Sequence, residues 1–152
     1  MVVNYIDKIA LEFEGYYDVD KFVPNKAGIY CIYRANPNVH KITGLIYIGQ
    51  SRNIQQRLAD HEHHEDWENE LYSGERLICS FAPIVSSYNR GRAEAALIYV
   101  HKRKYPALIN TSSTESFNHG DVKITTKGEN AGLYGRFAIY KEDGETKIKI
   151  IR

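Results

Sequence analysis

Five side chains in this sequence carry groups that bind charged oxygens or move protons. Tyr30 and Tyr47 lie in two runs of β-branched and aromatic residues. Arg57 and His61 are four residues apart, which puts both on one face of a helix, and Glu94 follows in an alanine-rich segment. A guanidinium binds phosphate-like oxygens with a rigid fork, an imidazole exchanges protons near neutral pH, and a carboxylate is a ligand that Mg²⁺ prefers. The set indicates acid–base chemistry beside a bound anion.

The elements that must position these side chains follow from the residue pattern. The runs at 28–33 and 44–49 predict two strands, and the loop of about ten residues between them favours an antiparallel hairpin. Helical spacing predicts a helix over 53–65, for which Ser51 or Asn53 is the candidate N-cap. A third strand is predicted at 76–84. A second helix is predicted at 90–104, because its apolar residues form one stripe and Pro106 stops it.

The two ends of the chain have weaker patterns. Residues 1–26 are predicted to be a short lead-in with a pair of helical turns. Strands are predicted at 123–126, 133–140 and 147–151, with a turn at Asp143-Gly144 before the last. Local hairpins with separate helices predict an α+β fold. We expect a single domain over 1–152, with a core at 27–112 and a β-rich C-terminal extension at 113–152.

Composition excludes some classes of protein. The formal net charge is only +1, so any nucleic-acid contact must come from a local patch and not from the field of the whole molecule. The N-terminal residues lack a signal-peptide core, and no apolar run approaches the ~20 residues that a membrane helix needs. We therefore expect a cytoplasmic protein without a membrane partner. Cys31 and Cys79 lie in strand-like runs and are expected to be reduced core residues.

An ordered set of motifs gives the sequence a family resemblance. Gly28-Ile29-Tyr30 and Tyr47-Ile48-Gly49 are two tripeptides at the start of one strand and the end of the next. The other matching positions are Arg57 and His61 on the first helix, Glu94 on the second, and Pro106 to Asn110 after it. In these motifs the sequence resembles the GIY-YIG nuclease family over residues 27–112. The resemblance implies a central three-stranded antiparallel sheet flanked by helices.

The resemblance implies a metal-dependent DNA endonuclease that hydrolyses phosphodiester bonds. It implies one Mg²⁺ ion, which Glu94 holds and which Mn²⁺ can replace. It also implies that Arg57 binds the phosphate. Two assignments of the base stay open. Either Tyr30 takes the proton of the water with His61 behind it, or His61 acts directly and Tyr30 positions the water. Tyr47 is expected to orient phosphate or water.

Further residues have expected supporting roles. Gly28, Gly49 and Asn110 are expected to be structural near the site. Gln50 stands where some relatives carry lysine, and Arg52 is the candidate to supply that cation. The expected nucleic-acid contacts also include Arg90, Arg92, Lys102, Arg103 and Lys104, because phosphate contacts supply most non-specific affinity for DNA.

Other interpretations are weighed against this one. The segment His61 to Asp66 has the residue types of a zinc site, but its spacing is poor and a solvated helix end is preferred. A non-catalytic nucleic-acid-binding module on the same fold is the alternative function, and RNA is a lesser variant of the substrate. No recognition domain is evident, so we expect a homodimer or a partner protein to supply DNA specificity.

Overall fold

A computed structural model describes residues 6–21 and 23–152 of the chain. In these residues seven strands form one sheet in the order β3-β2-β4-β1-β5-β6-β7. The strands are β1 (Asp7–Asp18), β2 (Gly28–Asn36), β3 (Lys41–Ser51), β4 (Arg76–Pro83), β5 (Val122–Gly128), β6 (Arg136–Glu142) and β7 (Glu145–Ile150). The helices are α1 (Ile54–Ala59), α2 (His64–Asn69) and α3 (Ser87–Lys104), with a 3-10 turn at Pro37–Val39.

The N-terminal lead-in contains a strand. The predicted helical turns are wrong within 6–21, where β1 pairs antiparallel with β4 and parallel with β5. The part of that prediction that concerns residues 1–5 and 22 lies outside the described residues. Ile9, Leu11 and Phe13 alternate with exposed residues, and this period of two buries one face of a strand.

The predicted three-stranded central sheet is not confirmed. β2 does pair antiparallel with β3 and with β4, but these three strands form one end of the seven-stranded sheet. β1 joins them to β5, β6 and β7, which form near the three predicted C-terminal strands. The fold mixes helices and strands, and the C-terminal extension is part of the same sheet as the core.

The predicted first helix is two short helices. The Asn53 side chain accepts a hydrogen bond from the backbone N–H of Gln56 and so caps α1, as one of the two predicted caps. Asp60 leaves the helical region, at φ −138° and ψ 49°, and α1 ends there. This break lets His61 turn toward the sheet, where it is buried, and α2 then buries Trp67 completely.

Helices cover the two faces of the sheet unequally. The long α3 packs against one face with a core that includes Ile29, Ile48, Leu97 and Phe137. The other face is covered by α1 and α2 only at the β3-β2-β4 end, over a second core that includes Tyr30. The candidate chemistry lies at this second core and beside α3.

Candidate active site

Tyr30 and His61 are joined by a hydrogen bond between the phenol Oη and the imidazole Nε2, 2.9 Å apart. The Tyr47 ring lies 6.3 Å from that of Tyr30 and 5.4 Å from that of His61, measured between centroids. Trp67 also packs against the imidazole, with a centroid distance of 4.3 Å, and lies 5.4 Å from the Tyr47 ring. The structure thus brings three of the predicted site residues, Tyr30, Tyr47 and His61, together in one cluster of aromatic rings.

The hydrogen bonds of His61 define which nitrogen carries its proton. The backbone N–H of His63 donates to His61 Nδ1 at 2.9 Å, so Nδ1 is unprotonated. Burial, with the nearby Arg57 charge, lowers the pKa of His61 to about 4, and the ring is neutral at pH 7. A neutral imidazole has one N–H, which must therefore be on Nε2 and donate to the Tyr30 oxygen.

Gly49 is needed because the Tyr30 ring crosses directly over it. A Cβ at Gly49 would overlap the Tyr30 Cζ and Oη atoms, and a Cβ at Gly28 would overlap the carbonyl of Ala82. Both glycines of the two tripeptides therefore allow close contact, and at Gly49 the contact is with a predicted catalytic side chain.

Replacing Gly49 with alanine is expected to reduce nuclease activity by displacing the Tyr30 hydroxyl, and to destabilise the fold by about 1–3 kcal/mol through overpacking. Gly91→Ala is the control, since a Cβ there meets no atom within 4 Å and alanine is favoured in a helix. Thermal unfolding and DNA nicking would be measured for both. An active, stable Gly49→Ala protein would contradict the assigned close contact.

Arg57 lies beside Tyr30 but is already paired. Its Nη1 and Nη2 donate to the two carboxylate oxygens of Glu62 at 2.6 and 2.8 Å. This pairing lowers the pKa of Glu62 to about 2. The positive charge and a hydrogen bond from Arg57 also lower the pKa of Tyr30, but burial raises it by more, so the net pKa shift is upward. In this arrangement the Tyr30 phenol is protonated at neutral pH.

Glu94 projects from α3 to the end of β3. It is half-buried, and burial raises its pKa to about 7, against the opposing effects of a hydrogen bond from the backbone N–H of Gln50 and the charge of Arg57. Burial and the Glu94 charge also raise the pKa of Tyr47. Glu94, Arg57 and the two tyrosines are therefore close enough to interact electrostatically.

The carboxylate of Glu94 is the kind of ligand that one hard cation needs. Among residues 6–21 and 23–152, no three His, Cys, Asp or Glu side chains converge as a protein-only metal cage. Mg²⁺ keeps several of its waters and binds proteins through one or two carboxylates plus substrate phosphate. A carboxylate that burial makes hard to ionise gains from such a cation, so Glu94 suits a single-carboxylate site.

Asn110 ties the chain after α3 to β3. Its Oδ1 accepts from the backbone N–H of Ile48 at 3.0 Å, and its Nδ2 donates to the Ile48 carbonyl at 2.8 Å. Ile48 is the middle residue of the second tripeptide. The side chain thus acts as a strand partner for β3, in keeping with the structural role predicted for it.

The predicted DNA-contacting arginines on α3 are mostly buried. Arg90 donates to the Gln50 side chain and to the carbonyls of Ile84 and Val85. Arg92 is 3% exposed and pairs with Asp7. Both guanidinium groups are buried and bonded within the fold, so the predicted DNA contacts of Arg90 and Arg92 are wrong.

The cations at the end of α3 also have partners. Lys102 donates to the carbonyls of Pro106 and Leu108, and Arg103 to those of Tyr99 and Thr114. Lys104 lies 4.2 Å from the centre of the Tyr134 ring. These bonds occupy carbonyls near a helix C-terminus. Arg52 is exposed next to α1, so among the six predicted cations it is the one best placed for a phosphate.

Two residues of the site were not identified from the sequence. Glu62 pairs with Arg57, and Trp67 supports the His61 ring. The predicted helix through Arg57 and His61 does not indicate Glu62 or Trp67, because the chain leaves the helical conformation between α1 and α2. The zinc-type cluster forms surface pairs instead: His63 contacts Asp66, and His64 contacts Asp20 and Glu68.

The fold and this site define the catalytic domain of a nuclease-type family. The family model of the GIY-YIG catalytic domain matches residues 26–106, which is more than half of the chain. The chain therefore belongs to the GIY-YIG family, as the sequence motifs predicted. Searches of the curated proteins and of the solved structures found no match. Within residues 6–21 and 23–152, none of the helices has the length and apolar character needed to cross a membrane.

Proposed function

We propose that this protein is a metal-dependent DNA endonuclease whose reaction centre lies between Glu94 and Tyr30. The observation that carries this proposal is the convergence of a half-buried carboxylate, a guanidinium and a hydrogen-bonded phenol–imidazole pair. Phosphodiester hydrolysis needs an activated water, charge stabilisation at phosphorus and help for the leaving oxygen. These residues supply groups for each need.

The tautomer of His61 favours Tyr30 as the base. Nε2–H donates to the phenol oxygen and Nδ1 is occupied, so the neutral ring has no free lone pair for a proton. His61 and Arg57 instead place two donors near the Tyr30 oxygen, and both stabilise the phenolate. His61 is a positioning residue in this scheme. Tyr30 first loses its phenol proton to solvent, and the phenolate, stabilised by the His61 and Arg57 donors, then takes the proton of the attacking water.

Glu94 would hold the Mg²⁺ ion, and Mn²⁺ is a chemically suitable substitute. When bound, the ion supplies positive charge beside the scissile phosphate. Arg57 binds a phosphate oxygen, and the Tyr47 hydroxyl orients the phosphate or the water. One such site cuts one strand at a time, so a second copy or a partner protein would be needed for a concerted double-strand cut. We place this site in a single domain that spans the chain.

Supercoiled plasmid tests the proposal. The protein is expected to produce nicked circles in Mg²⁺ or Mn²⁺ and none in EDTA. The electrophoretic mobility of the same DNA in EDTA distinguishes the endonuclease from the alternative function, a non-catalytic binding module. A stable shift in mobility, without cleavage of supercoiled, linear, branched or single-stranded DNA in either metal, would support a non-catalytic binding module and contradict the endonuclease.

Replacing Glu62 with glutamine is expected to strengthen DNA binding. Glu62 competes with phosphate for the Arg57 guanidinium, and an exposed ion pair of this kind is weak. The KM for DNA should therefore fall by up to about fivefold. Glu65→Gln removes the same charge from α2 and is the control. Equal KM values for the two variants would show that Glu62 does not compete at Arg57.

A further inference from the structure

Three lysines form a row across the β1-β5-β6-β7 part of the sheet. Lys8 of β1 is directly opposite Lys123 of β5, Lys123 is opposite Ala138 of β6, and Ala138 is opposite Lys149 of β7. Residues opposite one another in a sheet have the same facing, so the three ammonium groups lie on one surface. We call Lys8, Lys123 and Lys149 the lysine row.

Within residues 6–21 and 23–152, no carboxylate pairs with the lysine row. None of its three side chains makes a hydrogen bond or ion pair with any other described residue. Like charges placed directly opposite each other destabilise a sheet. Lys8 and Lys123 are such a pair, so this arrangement costs stability unless an anion lies over it.

The surface around the lysine row is open and carries further cations. Ile9 and Ile124, which flank Lys8 and Lys123 along their strands, point to the core under α3, so the row is on the opposite face. α1 and α2 cover that face only at the β3-β2-β4 end. Exposed Arg136 and Lys127 lie on the same face. Asp121, two residues before Lys123, is the nearest carboxylate by register, and Glu12, opposite Lys127, is further along the strands.

The lysine row and Tyr30 are on the same side of the sheet. Tyr30 is opposite Phe81, and Phe81 is opposite Glu14 of β1. Glu14 and Lys8 are six residues apart on the regular part of β1, and an even spacing gives the two side chains the same facing. Tyr30 is buried under α1 and α2, but an extended ligand such as a DNA duplex can span from that region to the lysine row, as a small anion cannot.

We propose that the lysine row is a docking surface for the phosphate backbone of DNA. This inference rests on the proposed function and locates the affinity that the net charge of +1 does not supply. The ends of the row are three strand spacings apart, about 14 Å, which corresponds to about four charges along one DNA strand at ~3.4 Å each. Cations in this geometry contact the phosphates of the DNA backbone and not the base edges, so the contact does not depend on the DNA sequence.

The test measures binding without cleavage. Affinity of the full chain for a labelled 30-base-pair duplex would be measured in EDTA from about 25 to 200 mM salt. The test variant is Lys8→Ala/Lys123→Ala/Lys149→Ala. The control is Lys21→Ala/Lys41→Ala/Arg76→Ala, which removes the same charge from exposed cations elsewhere on the protein.

Loss of three phosphate contacts should make the salt dependence shallower by about 2–3 in log–log slope, and should weaken binding at 100 mM salt at least about tenfold. The control should keep the wild-type slope. The inference is wrong if both variants behave alike, if the wild type does not bind duplex, or if the lysine row affects only binding to phosphatidylserine vesicles. Nicking of plasmid in Mg²⁺ by the same proteins is read separately, so failure of the proposed function is distinguishable from failure of this surface.

Discussion

Glu94→Gln is expected to make the protein more stable as well as inactive. Burial raises the pKa of Glu94 from 4.5 to about 7, so the ionised carboxylate opposes folding. A raised folded-state pKa gives stability that is present below pH 4.5 and lost as the pH rises through 7. At pH 8 the neutral amide should therefore add about 2–3 kcal/mol to the free energy of unfolding, or about 4–12 °C in Tm.

The pH dependence and the metal dependence of Tm check this expectation. The gain should disappear as the pH is lowered toward 4.5, where Glu94 is itself neutral. Mg²⁺ should raise the Tm of the wild type, because an ion that binds only the folded state stabilises it, and should leave Glu94→Gln unchanged. Glu65→Gln is the control for charge alone. A destabilised Glu94→Gln protein at pH 8 would contradict the burial cost assigned to this carboxylate.

Tyr30→Phe is expected to lower the cleavage rate by about 10²–10⁴-fold, the usual contribution of a general base. The ring and its packing remain, and leaving the buried His61 N–H without its acceptor costs about 1–3 kcal/mol, so the protein should stay folded. Single-turnover nicking rates and thermal unfolding would be measured together.

Tyr33→Phe is the matched control on the same strand. Its hydroxyl also makes one hydrogen bond, to the carbonyl of Ala131, but it points to the α3 side of the sheet. His61→Ala tests the other assignment of the base. If Tyr30→Phe keeps near-wild-type activity while His61→Ala loses it, together with a rate dependence on the His61 pKa, then His61 is the direct base and Tyr30 positions the water.

Much of the candidate site could be predicted from the sequence because its motifs are local. The two tripeptides define a hairpin, and that hairpin places Tyr30 opposite Gly49. α1 ends between Arg57 and His61, so the two residues are not on one helix. His61 nevertheless hydrogen-bonds Tyr30, so its predicted place in the site does not depend on that helix. The position of Glu94 could be predicted because the apolar stripe of α3 defines which side of that helix faces the sheet.

The remaining features depend on contacts between distant parts of the chain. β1 has an alternating pattern, but its partners β4 and β5 are far along the sequence, so the pairing could not be inferred locally. Arg92 was predicted to contact DNA because it is charged, whereas its partner Asp7 lies at the start of β1. The lysine row is likewise visible only once the register of four strands is known.

The most direct measurement is the rate at which the full chain and Glu94→Gln nick one supercoiled plasmid in Mg²⁺. A metal ligand contributes several kcal/mol of transition-state stabilisation, so the variant should be slower by about 1000-fold or more. Its retained fold would be verified by its Tm in the same buffer. Equal rates for the two proteins, or no nicking by the wild type in Mg²⁺ or Mn²⁺, would contradict a metal-dependent centre at Glu94.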